Sequence, residues 1–238
     1  MSHLFLHITT VPCQRPGLLA DHRAKVTAPA KLSNAESITK WLTENGDAAA
    51  QEALLKTAYD GSLGEVVAIA WAFDGDGVRC VRRSLDVPEA TLLEEFFASL
   101  QEDVLNSVSA SDRYTARIVG HNILGFDLRF IFQRAVILSV LPPFDLGHDN
   151  RYNNSRVYDV MVAWAGFNKF LSLPDLARAI GLDAQPALGA AEVWALAKAN
   201  EVETIKDLCI QDVSLVRQVF HAMTFSEFFT EADHAQGQ

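Results

Sequence analysis

With 238 residues, 49% of them apolar, the chain has material for one sizeable core, and its three cysteines are too few and too scattered for a disulfide scaffold. A formal net charge of −10 excludes a protein that coats nucleic acid by bulk electrostatics, though it leaves room for a local cationic groove. Cys13, Cys80 and Cys209 form no CxxC pair, which fits a reducing cytoplasm and speaks against a zinc site. MSHLFLHITTVP lacks a basic n-region, and the apolar run AVILSVL stops at Pro142-Pro143, far short of a bilayer's thickness. The expectation is a soluble cytoplasmic protein with no membrane partner.

In chain order, Leu4, Leu6 and Ile8 alternate as in a buried strand over about Leu4 to Thr10. A long connection from Pro12 to Leu63 follows. Within it, Ser33-Asn34-Ala35-Glu36 has capping-box spacing ahead of Ile38, Trp41 and Leu42, and a second helix is expected over Asp47 to Tyr59. This stretch is too short and too poor in large apolar residues to build its own core. It reads as a helical insertion at about 12–63, packed over a sheet or lidding a cleft, within a single domain of 1–232 and ahead of a polar tail at 233–238.

Glu65 to Phe73 and Val78 to Arg83 read as a hairpin around Asp74-Gly75-Asp76-Gly77, with the turn supplying positive φ angles. Pro88 followed by Leu92, Phe96 and Leu100 marks a helix, which returns to a strand ending at Ile118-Val119-Gly120. Phe126, Phe130 and Ile131 start the next helix, which ends before Leu141-Pro142-Pro143. Arg156 to Met161 reads as a further strand. Leu173 to Ile180, Ala190 to Ala199 and Glu203 to Met223 read as helices, punctuated by Gly181 and Gly189. The pattern implies an α/β fold with a mixed sheet, antiparallel on one side and joined by right-handed crossovers on the other.

Two acids stand in awkward places. Asp127 opens a helix directly after an interior strand, where open α/β sheets place their ligands; its simpler reading is a first-turn acid facing the helix dipole. Asp212 interrupts the apolar stripe of Ile205, Leu208, Val216 and Val219. A carboxylate facing a core needs a partner or a metal, because an unpaired buried charge costs several kcal/mol. Two such acids point to a shared site.

The stretch VGHNILGFD around Asp127 resembles the second motif of the DEDD exonucleases, RNase H-like 3′ to 5′ exonucleases related to the proofreading domain of family B DNA polymerases. LCIQDV resembles their third motif, SLPDLARAIGL their C-terminal half, and LFLHITTVP the strand of their first motif, normally written D-x-E. The resemblance implies an RNase H-like mixed five-stranded sheet flanked by helices. It further implies phosphodiester hydrolysis at single-stranded DNA or RNA 3′ ends by two Mg²⁺ or Mn²⁺ ions held by carboxylates. Asp127 and Asp212 match the family's metal-binding acids, and His121, Asn122 and Phe126 fall where substrate is contacted. An alternative for Asn122 is a cap of the tight turn.

The first motif departs from the pattern. His7 and Thr9 stand where the resemblance places the two acids, and Leu208 stands where the third motif usually carries tyrosine. An imidazole does not bridge two hard cations as a carboxylate does, and a threonine hydroxyl is a poor ligand. Catalysis is therefore expected to be impaired or lost. Asp127, Asp212 and His7 would suit one softer ion such as Mn²⁺ or Zn²⁺ only if all three converge; otherwise His7 is a histidine hydrogen-bonded across the sheet and Thr9 a good strand former. What remains open is residual exonuclease activity, a silent cleft that binds nucleic-acid ends or protein, or an interaction module that shares only the fold. Arg113, Arg117, Arg129, Arg134, Arg151 and Arg156 gather around the second motif with Tyr114, Phe144 and Tyr152, either as a nucleic-acid groove or as a solvated face. Asp159 reads as a polar contact beside the site or, more simply, as a partner of Arg156.

Overall fold

The structure, a computed structural model, describes residues 2–107, 116–148 and 156–225. Five strands form one mixed sheet in the order β3-β2-β1-β4-β5: β1 is His3–Val11, β2 Glu65–Phe73, β3 Arg79–Arg82, β4 Arg117–Gly120 and β5 Val157–Asp159. β2 runs antiparallel to β1 and β3, whereas β1, β4 and β5 are parallel. This is the RNase H-like α/β arrangement expected of the chain, and it puts β1 at the centre. Among the described residues no helix is long and apolar enough to cross a membrane.

Alternation along the strands sends side chains to two cores. Leu4, Leu6 and Ile8 of β1 join Ile69, Trp71 and Phe73 of β2 beneath α3 (Glu89–Ser107) and α4 (Asp127–Leu138). On the opposite face, Phe5 of β1 and Ala68, Ala70 and Ala72 of β2 meet Ile205, Cys209, Val213, Val216 and Val219 of α8 (Val202–Thr224). The three alanines on β2 project only methyl groups, which lets α8 lie close against the sheet centre. His7 and Thr9 share the parity of Phe5 and therefore face α8.

Several expectations change in detail. A short helix α1 (Leu18–Lys25) precedes α2, and the two expected helices of the insertion are one continuous α2 (Ala35–Lys56) ending in a 3₁₀ turn at Thr57–Tyr59. Its cap is Asn34, which accepts from Glu36 N at 2.9 Å, and not Ser33. Gly46 lies inside this helix, where a side chain would collide with the Arg23 guanidinium, which reaches across to Leu42 O at 2.8 Å. In the hairpin turn the positive φ belongs to Asp74, at 25°, and neither Gly75 nor Gly77 has one. The expected strand from Arg156 to Met161 ends at Asp159, where α5 (Val160–Ala165) begins. α6 (Leu173–Ala179) and α7 (Ala190–Lys198) lie close to expectation, with Gly181 at φ 83° just beyond α6. Arg113, Tyr114, Arg151, Tyr152 and the tail at 233–238 lie outside the described residues.

Candidate active-site cleft

Three segments close around one hollow: the C-terminal half of β1, the turn between β4 and α4, and the middle of α8. The hollow is a cleft of about 620 Å³ into which His7, Thr9, His121, Asn122, Asp127 and Asp212 all face. It opens at the carboxyl end of β4, the position parallel strands favour for a ligand site. A register shift between Thr9 and Thr10 kinks β1 at the cleft wall.

His7 lies between the two acids. Its Nδ1 is 3.2 Å from Asp127 Oδ1 and its Nε2 is 3.3 Å from Asp212 Oδ2. Burial pushes the imidazole toward its neutral form, but hydrogen bonds and charge from both carboxylates outweigh it and raise the pKa to about 10. At neutral pH the ring is an imidazolium with both nitrogens engaged. Asp127 is fully buried and also accepts the Ile8 backbone N–H at 2.9 Å, so one carboxylate oxygen ties the start of α4 to the central strand. Asp212 differs from its expected core position: its side chain is 41% exposed at the cleft edge. The core stripe of α8 runs through Ile205, Cys209, Val213 and Val216, about one residue round from the expected line, which leaves Leu208 and Asp212 facing the cleft.

The turn that carries Asp127 is held by a residue that sequence reasoning undervalued. Asp159 does not pair with Arg156, which reaches Asp145 instead. Its carboxylate accepts from the backbone N–H groups of Asn122 at 2.9 Å, Leu124 at 3.4 Å, Met161 at 3.1 Å and Val162 at 3.3 Å. It thus caps α5 and pins the β4–α4 turn together. Burial pushes its pKa up in spite of these bonds. Its place one residue before a helix was the available signal, obscured because VYDVMVAW reads as continuous strand. Asn122 takes φ 54°, and its side-chain oxygen lies where a Cβ on Gly125 would fall, so the glycine permits the turn to close. His121 Nε2 lies 2.8 Å from Leu171 O and is kept neutral by burial.

Among the described residues the basic groove does not form at the cleft. Arg134 is buried and paired with Glu89 at 2.6 Å, Arg117 stacks 4.8 Å over the Tyr158 ring, and among the described residues no lysine or arginine lines the cleft. Phe144 contacts the core on the α3 and α4 side instead. The cleft walls are mostly apolar, with Tyr59 and Phe170 exposed at the rim and Phe126 between the Tyr59 and Phe130 rings, at 6.4 and 5.4 Å.

Residues 61–236 match the model of a family described as predicted 3′-5′ exonuclease related to the exonuclease domain of PolB. The chain belongs to that family. No curated protein matches it. The matched stretch carries Asp127, Asp159 and Asp212, whereas β1 with His7 and Thr9 precedes it. Such an exonuclease fold generally works with divalent metals, yet the residues at this cleft do not fit a two-metal set. Of the three carboxylates that line the cleft, Asp127 and Asp212 are both hydrogen-bonded to one imidazolium, and Thr9 is neutral. Among the described residues no group of three or more histidine, cysteine, aspartate or glutamate side chains is arranged to hold a metal ion. Convergence of His7, Asp127 and Asp212 therefore produces an ion pair network in which the imidazole has no free lone pair for a metal.

Proposed function

We propose that this member of the exonuclease family is catalytically silent and uses the cleft to hold the end of a single-stranded nucleic acid. The observation that carries the reading is the His7 ring between Asp127 and Asp212. An exonuclease of this family needs an anionic site that attracts divalent cations; here the side chain at the first-motif position is itself a cation and offsets half of the charge of Asp127 and Asp212. The walls that remain suit unpaired bases, whose faces stack on Tyr59, Phe126 and Phe170 without cationic help.

The same walls favour one second reading. A cleft that among the described residues has three acids, Asp127, Asp183 and Asp212, and no lysine or arginine repels a phosphate backbone, so an apolar peptide segment of a protein partner is the competing occupant.

A 3′-labelled oligonucleotide incubated with Mg²⁺ or Mn²⁺ tests the reading. The native chain should bind without shortening it. The double variant His7→Asp with Thr9→Glu should shorten it from the labelled end, each single variant far less. Rapid digestion by the native chain would overturn the reading, and absence of any oligonucleotide binding would leave the peptide reading in its place.

A further inference from the structure

Sequence spacing gave the cysteines nothing to do, but the fold brings two of them together beneath α8. In the sheet, His7 pairs with Ala70 and Ala70 with Cys80, so the three side chains form a row across β1, β2 and β3 on the face that α8 covers. The middle residue of the row contributes only a methyl group. Cys209, wholly buried on α8, enters over that gap: its thiol donates to His7 O at 3.6 Å, and Cys80 packs against the same core cluster. Cys13, the third thiol, stands apart after the end of β1.

The two thiols are unlike. Cys80 is on the edge strand β3 and only half-buried, with Arg82, bonded to Glu203 across the β3–α8 seam, and Lys206, bonded to the same Glu203 within α8, nearby. The neighbouring Cys209 thiol, opposed by burial and helped by the charges of Lys206 and Arg82, holds the Cys80 thiol below its usual range. Burial and the neighbouring Cys80 push Cys209 well above it. A half-buried, thiolate-prone cysteine beside a fully buried protonated one is the arrangement of an attacking and a resolving thiol.

We propose that Cys80 and Cys209 form a peroxide-reactive dithiol that closes to an intramolecular disulfide between β3 and α8. The Cys80 thiolate attacks one oxygen of hydrogen peroxide, breaking the O–O bond, to give a sulfenic acid and hydroxide. The Cys209 sulfur then displaces the sulfenic oxygen, which leaves as water with the Cys209 proton. Hydroxide takes up the proton that Cys80 had released, so two thiols and one peroxide yield one disulfide and two waters. Closure withdraws the Cys209 thiol from the His7 carbonyl, three residues before Asp212 on the same helix. The proposal is independent of what the cleft binds.

Thiol titration and peptide mapping of the native, full-length chain after one equivalent of hydrogen peroxide test it. The expected result is a fall from three free thiols to one, a non-reduced peptide pair linking Cys80 to Cys209, and Cys13 recovered as a free thiol. Cys209→Ser should instead accumulate a dimedone-reactive sulfenic acid at Cys80, while Cys80→Ser should leave Cys209 unreacted. Oxidation led by Cys13, links between chains only, or recovery of both Cys80 and Cys209 as free thiols would overturn it; the native-chain map decides the matter even if a variant fails to fold.

Discussion

His7 Nε2 lies 3.3 Å from Asp212 Oδ2, joining the central strand to the middle of the last helix across the mouth of the cleft. With Asp127 held at the other ring nitrogen, the histidine completes a carboxylate–imidazolium–carboxylate bridge that is both a structural tie and a plug of positive charge.

The bridge makes stability fall with rising pH. The folded-state pKa of His7, about 10, lies above the 6.5 of the free side chain, so its contribution is fully present below pH 6.5 and is lost as pH rises through 10. A quarter of the ring is exposed, which screens part of the effect. Urea midpoints of the native chain should decline between pH 6.5 and 10, and those of His7→Gln should decline less; parallel declines would sink the assignment.

Asp127→Ala removes the acceptor of the buried Ile8 N–H and one arm of the bridge. A loss of about 1–3 kcal/mol in chemical denaturation is expected from the unsatisfied donor alone. Asp127→Asn keeps an acceptor for Ile8 and should lose less, while lowering the His7 pKa.

Asp159→Ala should cost about 2 kcal/mol or more, since one carboxylate serves four backbone donors and replacing a helix cap by alanine alone typically costs ~1 kcal/mol. Asp159→Asn should be close to neutral, because burial penalises the charged form and the amide oxygen still accepts. Equal losses for both variants in thermal melts would contradict this.

Arg134→Met leaves Glu89 buried without its partner and should destabilise by about 3–5 kcal/mol. Glu89 also accepts from Val66 N at 2.7 Å, so the pair clamps α3 and α4 to β2, and the loss should appear in folding without altering ligand affinity per folded molecule.

Oligonucleotide affinity should depend little on salt. Each phosphate neutralised by a lysine or arginine on a single strand adds about −0.7 to the slope of log K against log salt, and among the described residues none of these side chains lines the cleft. A slope of about −3 or steeper in a fluorescence-anisotropy titration would place binding on another surface.

The sheet was largely legible in the sequence because strands such as Glu65–Phe73 carry long apolar runs between turn residues, and two segments of the cleft because Asp127 opens a helix directly after an interior strand and Asp212 interrupts an apolar stripe. What stayed hidden depends on contacts between distant residues. His7 looked like a missing acid until its two partners closed on it, Asp159 looked like strand until its carboxylate met four N–H groups, and Arg134 looked like surface charge until Glu89 came into reach. Cys80 and Cys209 are 129 positions apart by their numbers, and it takes the β1–β2–β3 register together with the packing of α8 over it to bring them into one cluster.

The state of the His7 ring tests the silenced site most directly. In a ¹⁵N and ¹³C NMR titration of selectively labelled histidine, assigned with His7→Gln, the His7 resonances should be those of a doubly protonated ring through pH 9, with a midpoint near 10. A neutral ring at pH 7.5, titrating at or below the ordinary 6.5, would mean that no cation sits between Asp127 and Asp212 and would contradict the account.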